Sequence, residues 1–66
     1  MTEKYVIKLN IFEDGELYES TIIDVEFGTV KECVNSLLAN GYEYIDGNLT
    51  LVNGETTAIA EIELVN

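Results

Sequence analysis

Residues 29–41, TVKECVNSLLANG, predict the only helix of this chain. Thr29 and Glu32 have the spacing of a capping box, in which each side chain satisfies a free amide of the first helical turn. Gly41 favours a left-handed stop directly after Asn40. The apolar residues between these ends recur at helical spacing and form one stripe, which predicts that a sheet covers that side of the helix. They are Val30, Cys33, Val34, Leu37 and Leu38.

Two strands are predicted before the helix, joined as a hairpin. Residues 4–12 alternate apolar and polar side chains, which indicates a strand with one buried face. Residues 17–25 return as the second strand after Asp14-Gly15, a pair typical of two-residue type I′ loops. That loop fixes the predicted pairs of the inner face, which are Ile7 with Ile22, Leu9 with Ser20 and Ile11 with Tyr18.

Three more strands are predicted after the helix, at residues 42–45, 48–52 and 56–65. Asp46-Gly47 and Asn53-Gly54 mark the tight turns between them. The last strand is longer than the fourth, so the rest of it needs another neighbour, most simply the first strand. The sequence therefore predicts one α+β domain over residues 1–66. It is a ββαβββ chain with an antiparallel five-stranded sheet of order 2-1-5-4-3 and one helix packed on one face.

Acidic residues dominate the charge of the chain. Its 66 residues include thirteen Asp and Glu, three Lys and no Arg or His, for a formal net charge of −10. Nucleic acids and anionic membranes are bound through clustered Lys and Arg, so direct binding to either is not expected. The apolar fraction of 47% and the clear periodicity indicate a folded domain with an acidic surface rather than a disordered tail.

The sequence has no motif for catalysis or for a cofactor. Without histidine it lacks the usual base at neutral pH, and Cys33 has no base to activate it. Cys33 lies in the helix stripe, where a small buried side chain is the plain interpretation and a reactive thiol the alternative. The turn of residues 13–16 lacks the alternating ligands of a calcium loop. We therefore expect no enzyme, no metal and no cofactor.

Cysteine use and hydropathy also predict a compartment. One unpaired cysteine fits a reducing environment better than an oxidising one. The sequence shows neither a basic, apolar leader nor a run long enough to cross a membrane. A cytoplasmic protein is therefore expected.

Several acids are spaced so that their carboxylates could stand in for phosphates. On a strand, side chains two residues apart point the same way at about 7 Å, and DNA has one phosphate per roughly 3.4 Å of each strand. The predicted partner-binding residues are Glu13, Asp14, Glu16, Asp24, Glu26, Glu43, Glu61 and Glu63. Among them, Asp24 with Glu26 and Glu61 with Glu63 have strand spacing. The alternative is that Lys4 and Lys8 pair with acids across the sheet and the turn acids are only solvated.

The outer face of the first hairpin is more apolar than a solvated face requires. Val6, Phe12, Leu17 and Ile23 are predicted to lie on it, and the sequence offers no second helix to cover them. Such a face, or an open strand at either edge of the sheet, could pair two copies. Repulsion between two chains of charge −10 opposes that pairing, so the homodimer stands as a hypothesis.

Two resemblances concern the order of elements. The hairpin VIKLNIFEDG, the capped helix from Thr29 and the segment NGYEY resemble the small β-grasp immunoglobulin-binding domains of bacterial surface proteins. The aliphatic first strand, the acidic turn EDGE, the return strand LYES and the single helix resemble the small acidic uracil-DNA glycosylase inhibitors of phages. The second resemblance covers about the first forty residues. It implies DNA mimicry and the capacity to dimerise.

Charge and resemblance together give the functional hypothesis. The hypothesis is that this protein is a small non-enzymatic inhibitor, of phage or mobile-element origin, that mimics nucleic acid. Its partner would be a DNA-binding host or defence protein of the DNA glycosylase or CRISPR nuclease type, and in the second case it would be an anti-CRISPR protein. The alternative is a protein-interaction or assembly module, homo-oligomeric in one form, whose acidity serves only solubility.

Overall fold

The computed structural model describes residues 3–65, and this part of the chain forms five strands and one helix. The elements are β1 (Tyr5–Glu13), β2 (Glu16–Ile22), α1 (Val30–Ala39), β3 (Glu43–Ile45), β4 (Asn48–Asn53) and β5 (Thr56–Leu64). Neighbouring strands are antiparallel and follow the order β2-β1-β5-β4-β3. The predicted α+β architecture and strand order are therefore confirmed, and α1 packs on the inner face of the sheet.

The start of α1 is fixed by the residues that predict it. Thr29 has an extended backbone, and its Oγ1 accepts a hydrogen bond from the Glu32 amide at 3.1 Å. The Thr29 hydroxyl also donates to the Glu32 carboxylate at 3.2 Å, where a capping box would have the Thr29 amide as donor. The N-cap is thus confirmed, with the acidic side chain bound to the hydroxyl instead of to the backbone.

The end of α1 ties the helix to the core. Gly41 has a φ of 93°, and its amide donates to the Leu38 carbonyl at 3.2 Å. The Tyr42 amide donates to the Leu37 carbonyl at 3.1 Å, which completes a Schellman motif. Leu37 and Tyr42 both belong to the buried core, so the hydrogen bonds that stop the helix also bring two core side chains together.

The core lies between α1 and the inner face of the sheet. Its buried members are Ile7, Cys33, Leu37, Tyr42 and Leu49. The buried part of the helix stripe is narrower than predicted, because Val30 and Leu38 are each 45% exposed. Successive helical residues point about 100° apart, so Leu38 cannot reach the sheet surface that Leu37 touches.

A β-bulge in β2 changes the register of the first hairpin. Near the turn, Phe12 lies opposite Leu17 as predicted. Ile11 then lies opposite Glu19, which leaves Tyr18 as an extra residue in β2. One inserted residue turns every later side chain of a strand to the other face, so the predicted inner pairs are wrong. Those pairs are Ile11 with Tyr18, Leu9 with Ser20 and Ile7 with Ile22.

The bulge also exchanges two isoleucines between the faces of the sheet. Ile23 was predicted on the outer face, but it lies on the inner side, packed against the core, and its amide donates to the Ile7 carbonyl at 2.9 Å. Ile22 is exposed opposite Lys8 instead. β2 ends at Ile22 and not at residue 25, so Asp24 and Glu26 lie beyond the strand. Both are exposed, and the half-buried Ile23 and Phe27 alternate with them, so the two acids share one side of the chain as their spacing predicts.

The described chain is elongated. Its extents are 42 × 20 × 18 Å, and its Cα radius of gyration is 12.1 Å, against about 11 Å for a compact chain of this length. Ten-residue α1 is about 15 Å long, whereas nine-residue β1 extends over about 30 Å. The helix therefore covers only part of the inner face, and no other element among residues 3–65 covers the outer face.

Replacing Leu37 by alanine tests the core directly. We expect Leu37→Ala to lower the free energy of unfolding by about 2–5 kcal/mol, because Leu37 is only 3% exposed. The matched control is Leu38→Ala on the same helix, 45% exposed, which should cost less than about 1 kcal/mol. Urea unfolding followed by circular dichroism measures both. Equal losses for the two variants would contradict the assignment of the buried side of α1.

Candidate functional site

Acidic side chains collect at one end of the elongated sheet, where the turns of two hairpins lie side by side. Glu13 and Glu16 are directly opposite each other at the end of β1 and the start of β2. The Asp14 amide donates to the Glu55 carbonyl at 3.2 Å, which joins the β1–β2 turn to the β4–β5 turn. We name these four exposed residues, Glu13, Asp14, Glu16 and Glu55, the acidic tip.

Lysines do not neutralise the acidic tip. Within residues 3–65, the one ion pair joins Lys4 to Glu26 at 3.3 Å, beyond the opposite end of β1. Lys8 lies opposite Glu61 in the middle of the sheet, and Lys31 is on α1. Like charges that face each other across neighbouring strands destabilise a sheet. The concentration of negative charge in the acidic tip therefore lowers the stability of the fold.

Two exposed apolar side chains adjoin the acidic tip. Leu17 and Tyr18 border a shallow hollow of about 350 Å³ together with Glu13, Asp14 and Glu16. Tyr18 is the bulged residue of β2 and is 68% exposed. The bulge thus leaves an aromatic ring in solvent beside the acids, where a partner could contact both. Neither Tyr18 nor Glu55 is among the binding residues predicted from the sequence.

The other predicted acids are distributed over two more regions. Glu61 and Glu63 share the outer face of β5, as their spacing predicts. Glu61 accepts a hydrogen bond from the Asn10 side-chain amide, so it belongs to a polar network within the sheet. Glu43 lies opposite Thr50 on the same outer face. Asp24 and Glu26 follow β2. Of the predicted set, Glu13, Asp14 and Glu16 therefore meet at one end of the sheet, and Glu61 and Glu63 form a separate pair on β5.

A mostly apolar row of side chains crosses the outer face next to the acidic tip. Its members lie opposite one another on β2, β1, β5 and β4, and we name Leu17, Phe12, Thr57 and Val52 the outer row. Two of the predicted oligomer residues belong to it. The other two do not, because Val6 is buried near the far end of β1 and Ile23 is on the inner side.

A second hollow lies between α1 and the sheet, and we name it the inner cleft. Its volume is about 550 Å³. Apolar side chains form most of its lining, and the polar groups come from α1 and the residues after it. The lining residues are Ile7, Ile23, Val25, Phe27, Ser36, Leu37, Asn40, Tyr42 and Leu51. Burial raises the pKa of the Tyr42 phenol, so this group stays neutral at physiological pH.

The Cys33 side chain is fully buried in the core. Burial raises the pKa of its thiol, and the negative charge of Glu32 raises it further. The thiol is therefore protonated at neutral pH, which favours the interpretation of Cys33 as a core residue over that of a nucleophile.

Metal ligands and membrane spans are absent from the described residues. Within residues 3–65, no three Asp, Glu, Cys or His side chains are placed to hold a metal ion. No helix in the same range is long and apolar enough to cross a membrane.

Comparisons of the chain with family models, with curated proteins and with solved structures find no match. The two resemblances noted above therefore concern the order of elements alone. The function has to be inferred from the acidic tip, the outer row and the inner cleft.

Removing one charge tests whether repulsion between carboxylates in the acidic tip destabilises the fold. We expect Glu16→Gln to raise the free energy of unfolding by less than about 1 kcal/mol, because it removes the electrostatic repulsion between residue 16 and the Glu13 carboxylate. The control, Glu43→Gln, removes the same charge where Thr50 is the opposite residue. Urea unfolding at low and at high sodium chloride measures both, and salt should reduce the gain. A larger gain in the free energy of unfolding for Glu43→Gln than for Glu16→Gln would contradict the repulsion between Glu13 and Glu16.

Proposed function

We propose that this protein is a small non-enzymatic inhibitor that mimics nucleic acid and occupies the cationic surface of a DNA-binding protein. The observation that supports this most is the linear density of charge. A formal charge of −10 along 42 Å is one charge per about 4 Å. One strand of DNA has a phosphate per roughly 3.4 Å, and the duplex has a charge per roughly 1.7 Å. The net charge per unit length of the protein thus approaches that of a single DNA strand.

The placement of the acids favours binding over solubility as their role. Solubility needs net charge, which acids dispersed over the surface supply without opposing one another. Here Glu13 and Glu16 face each other, and Glu55 is held beside Asp14. Concentrated charge steers a cationic partner, while the neighbouring Tyr18 offers the aromatic contact that gives interfaces much of their affinity.

The proposal extends to the class of target. Proteins that bind DNA hold its phosphates with Lys and Arg, and an acidic rod can compete for those side chains. A DNA glycosylase or a CRISPR nuclease has such a surface, and an inhibitor of either would come from a phage or mobile element. Both targets act in a reducing cytoplasm, which suits the unpaired Cys33.

Charge-matched variants test the mimicry. The tip variant combines Glu13→Gln, Asp14→Asn, Glu16→Gln and Glu55→Gln. The control variant removes four charges elsewhere, by Glu3→Gln, Glu43→Gln, Asp46→Asn and Glu63→Gln. Asp14 and Asp46 both have positive φ, which asparagine tolerates, so the turns should be kept. Each protein is used as bait in a bacterial lysate, and DNA oligonucleotides are then added to the captured protein.

The wild type should capture a DNA-binding protein that DNA displaces, and capture should weaken steeply with salt. The tip variant should bind at least tenfold more weakly than the wild type, and the control variant should lose less. Single substitutions should have small effects, because exposed charges contribute little one at a time. A tip variant that is folded by circular dichroism and captures the same protein equally well would refute the proposal.

The outer row favours a second candidate function, that of a homo-oligomeric assembly module. Leu17 and Val52 are 60% and 56% exposed on a sheet face that residues 3–65 do not cover. An exposed apolar face of this kind is typical of an interface. In this function the acidity would serve only solubility.

Sedimentation at micromolar concentration and about 0.15 M salt tests whether the protein forms the oligomer that this candidate requires. The assembly module should give dimer mass, and Leu17→Ser should return it to monomer because that substitution removes apolar area from the outer row. Leu38→Ser, on the exposed side of α1, is the control and should leave the dimer intact. Monomer mass for the wild type would exclude the assembly module.

A further inference from the structure

The inner cleft holds apolar surface that residues 3–65 leave uncovered. Ile7 and Leu37 are buried at its base, but Ile23 and Leu51 are only half-buried and Val25 is 50% exposed. Its volume of about 550 Å³ falls in the range of sites that take a small ligand or a side chain of a partner.

Hydrogen bonds hold one wall of the inner cleft in place. The backbones of Tyr5 and Phe27 form a two-bond bridge, at 2.8 and 2.9 Å. The Val25 amide donates to the Ile23 carbonyl at 2.8 Å. The wall is therefore formed before any partner arrives, which lowers the entropy cost of binding.

Two exposed carboxylates lie on the segment that forms the same wall. Along the segment after β2, the side chains of Ile23, Val25 and Phe27 line the inner cleft, and Asp24 and Glu26 between them are exposed. Lys4 pairs with Glu26 at 3.3 Å. No ion pair within residues 3–65 involves Asp24. We name Asp24 and Glu26 the acidic border, and Lys4 neutralises only part of its charge.

We propose that the inner cleft receives one apolar side chain from a short segment of the target in which the neighbouring residues are lysine or arginine. The hollow selects the apolar group, and the acidic border selects cations on either side of it. The inference rests on the proposed function and deepens it. Charge mimicry alone would accept any cationic groove, whereas the inner cleft adds a preference for one local sequence.

A second copy of this chain fits the inner cleft poorly. Its most exposed large hydrophobic residues are Tyr18, Leu17 and Tyr44. Each has an acidic neighbour in the sequence, which is Glu19, Glu16 or Glu43 respectively. Inserting any of these side chains would place an acid against the acidic border of the inner cleft. Like charges at close range oppose such an interface, so a basic partner is the complementary occupant.

Short peptides with blocked ends serve as probes. The first is Lys-Lys-Trp-Lys-Lys, the second has alanine in place of tryptophan, and the third has serine in place of every lysine. The protein contains no tryptophan, so indole fluorescence reports the peptide alone. The alanine peptide is measured by competition. We expect the tryptophan peptide to bind about tenfold more tightly than its alanine twin, because the indole leaves water in the inner cleft.

Three protein variants locate the indole. Val25→Ser removes apolar surface from the inner cleft, and Ser36→Phe fills it; both should reduce the advantage of tryptophan over alanine to less than about twofold. The control is Val52→Ser in the outer row, since Val25 and Val52 have similar exposures of 50% and 56%. This control should keep the tenfold advantage. Circular dichroism establishes that all three variants are folded.

The outcomes separate this inference from the proposed function. A tryptophan advantage that persists in both cleft variants would place the indole elsewhere and overturn the inference. Dimerisation of the wild type that Ser36→Phe abolishes would assign the inner cleft to a second copy and overturn it as well. If the serine peptide binds as tightly as the lysine peptide and salt has no effect, the proposed preference for basic neighbours is refuted. The proposed function is decided independently, by the lysate capture with the tip variant.

Discussion

Burial of one side of α1 against the sheet is the interaction on which the rest of the structure depends. Leu37 and Cys33 pack with Ile7, and without that cover the two hairpins would have little apolar surface to bury against each other. The helix is short, so it secures the sheet without covering it. The acidic tip and the outer row lie where α1 does not reach, and the inner cleft opens between α1 and the sheet. A small core and a large available surface are therefore two results of the same packing.

The elements that could be predicted are those determined by local chemistry. Asp14 and Asp46 have φ values of 53° and 52°, each before a glycine with positive φ, as Asp-Gly turns require. Thr29 and Gly41 bound α1 for equally local reasons. The bulge at Tyr18 is different, because either of two adjacent isoleucines can fill the core and only the packed structure decides between them. Adjacent apolar residues interrupt the alternation of β2, and they are the one sequence signal of the bulge.

The candidate site was predicted in part for a similar reason. Exposure of Glu13, Asp14 and Glu16 follows from residue type and turn position. Their approach to Glu55 follows from the register of β1 on β5, where Glu13 lies opposite Thr56. That register joins residues more than forty positions apart, so it cannot be predicted from the spacing of residues within one strand or turn. The inner cleft was missed because its wall, base and rim come from four separate segments.

The open edge formed by β2 has a consequence for the purity of any sample. Edge strands present unpaired amides and carbonyls on which identical chains polymerise, and proteins oppose this with bulges and charged side chains. β2 has both, in the bulged Tyr18 and in the carboxylates of Glu16 and Glu19. Dissolved salt screens exposed charges of this kind. Storage or purification at high ionic strength would then weaken the electrostatic barrier to edge-to-edge stacking and favour fibres over the discrete molecule.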